Sequence, residues 1–316
     1  MTDPRPLPRW GVVSTIKASA QEVLTFAAYH LAQGAHRVCI YLDAPCPEAL
    51  PHLKAHPKVR VIDCDDGYWR RQPVKRPKKH QVRQTHNANR AYQKQCKDLD
   101  WLAHIDVDEF IWSAAPLSQA LAELPPEALC ARLRPIEVMA DQSDVFRAAA
   151  PRGSELPAVL RDLYPTYGAY SHRGLLSNAA GKLFLRTGLD EVTFRIHNAF
   201  VMGLKNPCQL ELDAVDLCHF HGRSWADWFA HFSYRHANGA YRQELGARSQ
   251  APTPLNMHAV LADVMEREGE VGLRGFYDEF CADSPEKRAK LEQHGLLRLR
   301  PLHLEDHLRT HFPQFG

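Results

Sequence analysis

Residues 100–111 read Asp100-Trp101-Leu102-Ala103-His104-Ile105-Asp106-Val107-Asp108-Glu109-Phe110-Ile111, an apolar run that stops abruptly in three carboxylates. Trp101 to Ile105 is apolar enough to lie inside a sheet covered on both faces. Asp106, Asp108 and Glu109 are then expected at its C-terminal edge, where open α/β sheets bind their ligands. Unpaired carboxylates are costly to bury, so the cluster needs a counter-charge, and a divalent cation is the obvious candidate. On an ideal strand, side chains at i and i+2 share a face but stand about 6.6 Å apart, whereas a Mg²⁺–oxygen bond is about 2.1 Å long. Either the backbone turns after Asp106, or the two aspartates divide the work. Division is the favoured expectation: Asp108 on the metal, Asp106 accepting hydrogen bonds from a ribose or a metal-bound water. A hard cation held by so few carboxylates keeps positions open for substrate phosphates. An isolated Asp-x-Asp also occurs as a plain strand end or helix cap. The buried strand before this one, and Phe110-Ile111-Trp112 after it, favour the metal.

The flanking sequence supplies a sheet for that strand. Trp10 to Ile16 reads as a first strand, and Gln21 to Gln33 as a helix with Val23, Leu24, Ala27, Ala28 and Leu31 on one stripe and Gly34 stopping it. Arg37 to Leu42 is a second strand ending at Asp43, Pro47 to Ala55 a short helix, and Val59 to Ile62 a third strand ending at Asp63. Strand, helix, strand, helix, strand is the order of a parallel sheet with right-handed crossovers. Its acidic and polar strand ends share one edge, a nucleotide-sized crevice by the switch-point rule.

Between the third strand and the acidic one, residues 70–83 carry Arg70, Arg71, Lys75, Arg76, Lys78, Lys79 and Arg83, with Pro73 and Pro77 among them. Such a run is either a solvated loop or a mobile flap over phosphates or an anionic acceptor. His80 to Cys96 follows as a helix that carries His86, Asn87 and Arg90 toward the carboxylate edge.

Downstream, Leu117 to Leu124 reads as a short helix and Ala131 to Leu133 as a strand. Residues 141–180 read as an irregular stretch suited to an acceptor, and 181–186 and 192–197 as a pair of strands. After the short apolar run Leu217 to His221, Ser224 caps a helix. In that helix Trp225, Trp228, Phe229 and Phe232 have the spacing of a buried face, and the stripe reads as core. The expected division is a domain over 1–250 and a helical C-terminal extension over 251–316.

Composition sets limits on function. The 316 residues are 45% hydrophobic and 24% charged, with a net charge of +2. That balance gives no general affinity for polyanions, and one basic loop without a recognised module gives no reason to expect a nucleic-acid partner. No apolar run approaches the roughly 20 residues of a membrane span. Met1 to Arg9 is rich in Pro and Arg and does not read as a secretory signal. Cysteines 39, 46, 64, 96, 130, 208, 218 and 281 form no Cys-x-x-Cys pair, which points to reduced thiols in a cytoplasmic protein.

Four segments together resemble the GT-A-fold glycosyltransferases, in particular the family 2-like bacterial group related to family 92. They are Val13 to Tyr41, Asp100 to Phe110, Gly181-Lys182 with Arg186 and Ile196-His197-Asn198, and His219 to Ser224 leading into Trp228-Phe229. They span residues 11 to about 240 in the family's order. The resemblance implies an α/β fold with a mostly parallel GT-A-type sheet flanked by helices. It implies a transferase dependent on Mn²⁺ or Mg²⁺ that uses a nucleotide-sugar donor and a glycan or glycolipid acceptor, with inversion. Asp106 and Asp108 take the Asp-x-Asp role. His219 is the first choice to complete the metal shell, with His197 and His221 behind it. Thr15, Lys17 and Asp43 fall where base and ribose are held, and Lys182 and Arg223 are placed to neutralise the diphosphate. Relatives carry Asn-Glu where this chain has Ala18-Ser19, a departure at the nucleotide contacts.

Inversion needs a general base, for which Glu137 and Asp141 are the candidates. Two other readings compete: a nucleotidyltransferase or other metal-dependent phosphoryl-transfer enzyme, made less favoured by the lack of a Gly-rich phosphate loop, and a non-catalytic carbohydrate-binding protein on the same scaffold. The expected acceptor is a cell-envelope or exported polysaccharide, with the 70–83 loop holding the enzyme peripherally at the inner, anionic face of the membrane.

Overall fold

The computed structural model describes residues 6–237 and 257–315. In chain order the elements are β1 (Trp10–Ile16), α1 (Ala20–Ala32), β2 (Arg37–Leu42), α2 (Leu50–Ala55), β3 (Val59–Asp63), α3 (Asp66–Arg70), α4 (His80–Lys94), β4 (Trp101–His104), β5 (Glu109–Ser113), α5 (Leu117–Ala122) and β6 (Cys130–Val138). There follow β7 (Val145–Ala148), α6 (Leu156–Leu163), β8 (Lys182–Arg186), β9 (Val192–Phe194), β10 (Ala199–Val201), β11 (Leu204–Lys205) and β12 (Gln209–His219). The last elements are α7 (Trp225–Ala237), α8 (Met257–Cys281), α9 (Pro285–Gln293), β13 (Leu297–Leu299) and α10 (Leu304–His311). Contacts group them into two units, one of residues 1–134, 180–217 and 302–316, the other of 135–179 and 218–301. This grouping differs from the expected division. The stated boundary at 250 lies outside the described residues, and the final helix, α10, belongs to the same unit as β1 and packs on α1.

The first unit is a mixed α/β fold with a Rossmann-like core. Its strands run β3-β2-β1-β4, parallel throughout, and then β8 and β6, each antiparallel to its neighbour. The expected mostly parallel sheet is thus parallel over four strands and antiparallel beyond them. Period-two alternation decides what each face meets. Trp10, Val12 and Ile16 of β1, with Val38, Ile40 and Leu42 of β2, join one core with Val23, Leu24 and Ala27 of α1. The alternate residues Val13, Cys39 and Tyr41 join a second core with Ala88, Ala91 and Tyr92 of α4. Both faces of the strands are therefore covered, which is why they read as continuous apolar runs. Helix α1 begins with a capping box, in which the Ser19 hydroxyl accepts from the Glu22 N–H while the Glu22 carboxylate accepts from the Ser19 N–H.

In the second unit, Ile136 to Val138 of β6 pairs antiparallel with β7, and β7 with β13. Leu156, Leu160, Trp228, Phe232, Leu273, Phe276 and Phe280 share its core. Ser224 caps α7 by accepting from the Asp227 N–H at 3.1 Å, and the aromatic stripe is core, with Trp228 and Phe232 buried and stacked 5.5 Å apart. Helix α8 is interrupted at Gly269, whose φ of 63° lies in the left-handed region open to glycine. The stretch 141–180, expected to be irregular, contains β7 and α6. Strands β8 and β9 do not pair with each other: β8 joins the main sheet of the first unit, and β9 joins β10 and β11 in a separate small sheet.

No helix among the described residues is long and apolar enough to cross a membrane. All eight cysteines are free thiols.

One core contact is sensitive to acid. His30, in the last turn of α1, is fully buried; its Nδ1–H donates to the Phe26 carbonyl at 2.8 Å, and its Nε2 faces the Ile111 N–H of β5 at 3.5 Å. Burial lowers its pKa from 6.5 to about 4. The unfolded chain therefore takes up a proton that the folded chain refuses, and this contribution to stability is complete above about pH 6.5 and lost as pH falls toward about 4. Thermal midpoints measured across that window are expected to fall with pH. His30→Gln is expected to flatten the slope while lowering the midpoint at neutral pH.

Candidate functional site

One face of α4 organises the strand ends of the first unit. His80, Arg83, Gln84 and Asn87 lie at i, i+3, i+4 and i+7, so they project from the same side of the helix. His80 and Arg83 reach Asp43, just past β2. Arg83 grips the carboxylate with Nε at 2.8 Å from Oδ1 and Nη2 at 2.6 Å from Oδ2, and His80 Nδ1 lies 3.0 Å from Oδ2. Arg76, from the basic run, donates to the Asp43 carbonyl at 2.9 Å. The Asp43 side chain has no exposure at all. Burial alone would raise its pKa, but the hydrogen bonds from His80 and Arg83 overcome that and hold it at about 2. Asp43, expected to meet a ribose, is thus saturated by the chain's own cations. Part of the basic run is docked rather than free, while Arg70, Arg71, Lys75, Lys78 and Lys79 are exposed.

Further along the same face, Asn87 donates to the Thr15 hydroxyl of β1 at 3.1 Å and accepts from the Tyr68 hydroxyl at 2.7 Å. Gln84 donates to Asp106 Oδ1 at 2.6 Å. Lys17, just beyond β1, is exposed. Of the other α4 residues expected at this edge, His86 lies beside the Trp69 ring and Arg90 over the ring of Tyr68, the partner of Asn87.

The backbone does turn after Asp106. The Glu109 N–H donates to the Asp106 carbonyl at 3.2 Å, and the Asp106 N–H donates to the Glu109 carboxylate at 2.9 Å. The strand geometry that would separate Asp106 from Asp108 therefore does not apply. Glu109 is buried and braces the turn. The counter-charge in contact with the acids is Lys182, at the start of β8, with Nζ at 2.5 Å from Asp106 Oδ2 and 3.3 Å from Glu109 Oε2. The lysine side chain is 1% exposed, the Asp106 side chain 36%. Burial opposes both charges. The Lys182 ammonium nevertheless holds Asp106 below the usual carboxylate range, and Asp106 with Glu109 raises the lysine above its own. Lys182, expected at a diphosphate, is spent on these two carboxylates. His197 donates from Nδ1 to the Gly181 carbonyl at 2.9 Å, and burial, followed by the Lys182 charge, lowers its pKa to about 4.

The remaining candidates belong to the second unit. Glu137 is fully buried, bound to Arg147 Nη2 at 2.5 Å and accepting the N–H groups of Leu176 and Ser177 at 3.1 and 2.6 Å. Against the effect of burial, Arg147, followed by His221 and His219, holds its pKa at about 2. Asp141 is exposed on a loop with φ of 57°, and its N–H donates to the Arg223 carbonyl at 2.8 Å. The Arg223 side chain is exposed. The rings of His219 and His221 lie 5.2 Å apart.

Asp106 and Asp108 offer hard carboxylate oxygens, a donor set suited to Mg²⁺ or Mn²⁺. Asp106 already shares its charge with Lys182. Among the described residues, no group of three or more His, Cys, Asp or Glu side chains is gathered as a closed metal shell. No protein-family model matches the chain, and no curated protein matches it.

Two substitutions test this electrostatics. Lys182→Met leaves Glu109 buried without its cation and is expected to cost about 3 kcal/mol in chemical denaturation. Adding Glu109→Gln should recover part of that loss, giving a coupling energy of about 1 kcal/mol or more. Arg83→Gln removes the fork from a fully buried carboxylate. It is expected to speed tryptic cleavage within residues 70–79 before any change in the rest of the first unit.

Proposed function

We propose that the chain is a metal-dependent glycosyltransferase that moves a sugar from a nucleotide-diphosphate donor to a hydroxyl of a glycan or glycolipid. One observation carries the reading. The turn bearing Asp106 and Asp108 follows β4 beside β1, where the order of a parallel β3-β2-β1-β4 sheet reverses, and such switch points bind nucleotides. The sequence resemblance to GT-A-fold enzymes agrees with that position.

In this reading Asp108 would hold Mn²⁺ or Mg²⁺. Bound there, the ion supplies Lewis-acid stabilisation of the diphosphate leaving group. Asp106 is fixed by Gln84 and Lys182, one donor to each oxygen, and keeps further lone pairs for a ribose hydroxyl or a water. The Thr15 hydroxyl, oriented by Asn87, and the exposed Lys17 offer a hydrogen bond and a positive charge beside β1. Preorganised charge of this kind acts strongly, since opposite charges 4 Å apart are worth about 4 kcal/mol at an effective dielectric of 20. Of the two base candidates, Asp141 is exposed, whereas the Glu137 carboxylate is committed and its pKa of about 2 makes it a weak proton acceptor.

A thermal-shift screen of UDP-, GDP- and CDP-sugars and nucleoside triphosphates, with and without Mn²⁺, is expected to select a nucleotide sugar in the presence of metal. Hydrolysis of that donor without acceptor should follow. Asp108→Ala is expected to lower turnover at least about a hundredfold while leaving the thermal midpoint near wild type. Turnover within tenfold of wild type, a difference of only about 1.4 kcal/mol, would refute the assignment.

A further inference from the structure

Arg37, Arg60, Lys94, Gln95, Lys97 and Asp98 line a depression of about 400 Å³ in the first unit. Arg37 opens β2, Arg60 stands near the start of β3, and Lys94 ends α4. The depression therefore lies at the strand edge opposite the acidic turn. Four cationic side chains meet one carboxylate there, and that carboxylate is already in use: Arg37 Nη2 is ion-paired with Asp98 Oδ2, and His36 Nε2 lies 3.2 Å from the same oxygen. Among the described residues Arg60 donates only to the carbonyls of Pro57 and Val59, both from Nη1. Among the described residues Arg60, Lys94 and Lys97 have no acidic partner. Arg37 Nε is shielded from solvent and has no hydrogen-bond acceptor.

The geometry points to an anion site for a phosphate group carrying two or more negative charges. The volume is within the range of small-ligand pockets. A single carboxylate would leave most of the cations unanswered, whereas the oxygens of a phosphomonoester or pyrophosphate accept from a guanidinium and several ammonium groups together. Helix α4 ends here, and the carboxyl end of a helix repels anions. Affinity must therefore come from the side-chain cations and fall steeply with salt. The site is separate from the proposed donor site and does not depend on that reading.

Calorimetric titration with inorganic pyrophosphate, in low-salt buffer containing EDTA, tests the inference. Wild type is expected to bind, with affinity lost as salt is raised. The double variant Arg60→Gln/Lys94→Gln, at two exposed positions, is expected to bind at least about tenfold more weakly with an unchanged circular-dichroism spectrum. Asp98→Asn, which frees the Arg37 guanidinium, is expected to tighten binding, an effect that a purely structural role would not produce. Asp108→Asn should leave this binding unchanged. Sedimentation with phosphatidylcholine vesicles containing phosphatidic acid distinguishes the source. Co-sedimentation lost in the double variant identifies a lipid headgroup, and binding of pyrophosphate alone identifies a soluble ligand. Equal binding by wild type and double variant, or binding of neither probe by wild type, overturns the proposal.

Discussion

The first unit depends on a single helical face meeting the ends of parallel strands. Four residues of α4 reach three strand ends: His80 and Arg83 hold Asp43 after β2, Gln84 holds Asp106 after β4, and Asn87 holds Thr15 in β1. Each contact answers a polar group that would otherwise be costly to leave unpaired inside a protein. Because the anchors repeat at helical spacing, the helix sets the strand ends against one another without a loop having to do so.

The same economy governs the buried charges. In the first unit Lys182 lies between Asp106 and Glu109, and in the second Arg147 lies against Glu137. A cation within 4 Å holds Asp106 and Glu137 ionised despite burial. For Glu137 the consequence is chemical, because an acid so stabilised gives up its usefulness as a base. For Asp106 the consequence is positional. A carboxylate pinned by Gln84 and Lys182 presents its remaining lone pairs in a fixed direction. The basic run obeys the same rule in part: Arg83 serves Asp43 from a largely buried position and Arg76 from an exposed one, while Arg70, Arg71, Lys75, Lys78 and Lys79 face solvent.

Some of this was legible in the chain and some was not. The bounds of β1 and β2, the start of β4 and the core role of Trp228 and Phe232 follow from local apolar pattern, because a strand or helix buried against its neighbours must be apolar at the matching period. Strand β12 is legible in the sequence only at its end. In its first two-thirds buried Leu212 and Val215 stand three apart among exposed Leu210, Glu211, Asp213 and Ala214, with no period-two pattern to mark a strand. Arg83 is marked in the sequence only as the last cation of the basic run, with nothing to pair it with Asp43, and nothing in the neighbourhood of Gln84 marks it as a site residue. Gln84 meets Asp106 across 22 residues of sequence, and Lys182 meets it across 76.

The chain by itself therefore determined the alternation that builds the parallel strands, the two apolar faces that cover them, and the cluster of acids that follows the Trp101 strand. Each is a local consequence of side-chain period and of the cost of exposing apolar surface. Only the tertiary structure decided which cation answers which acid: Lys182 rather than a second ligand residue at Asp106, Arg83 rather than a ribose at Asp43, Arg147 at Glu137. Charge pairing is chosen by distance in space, which packing sets, and no pattern along the chain encodes it.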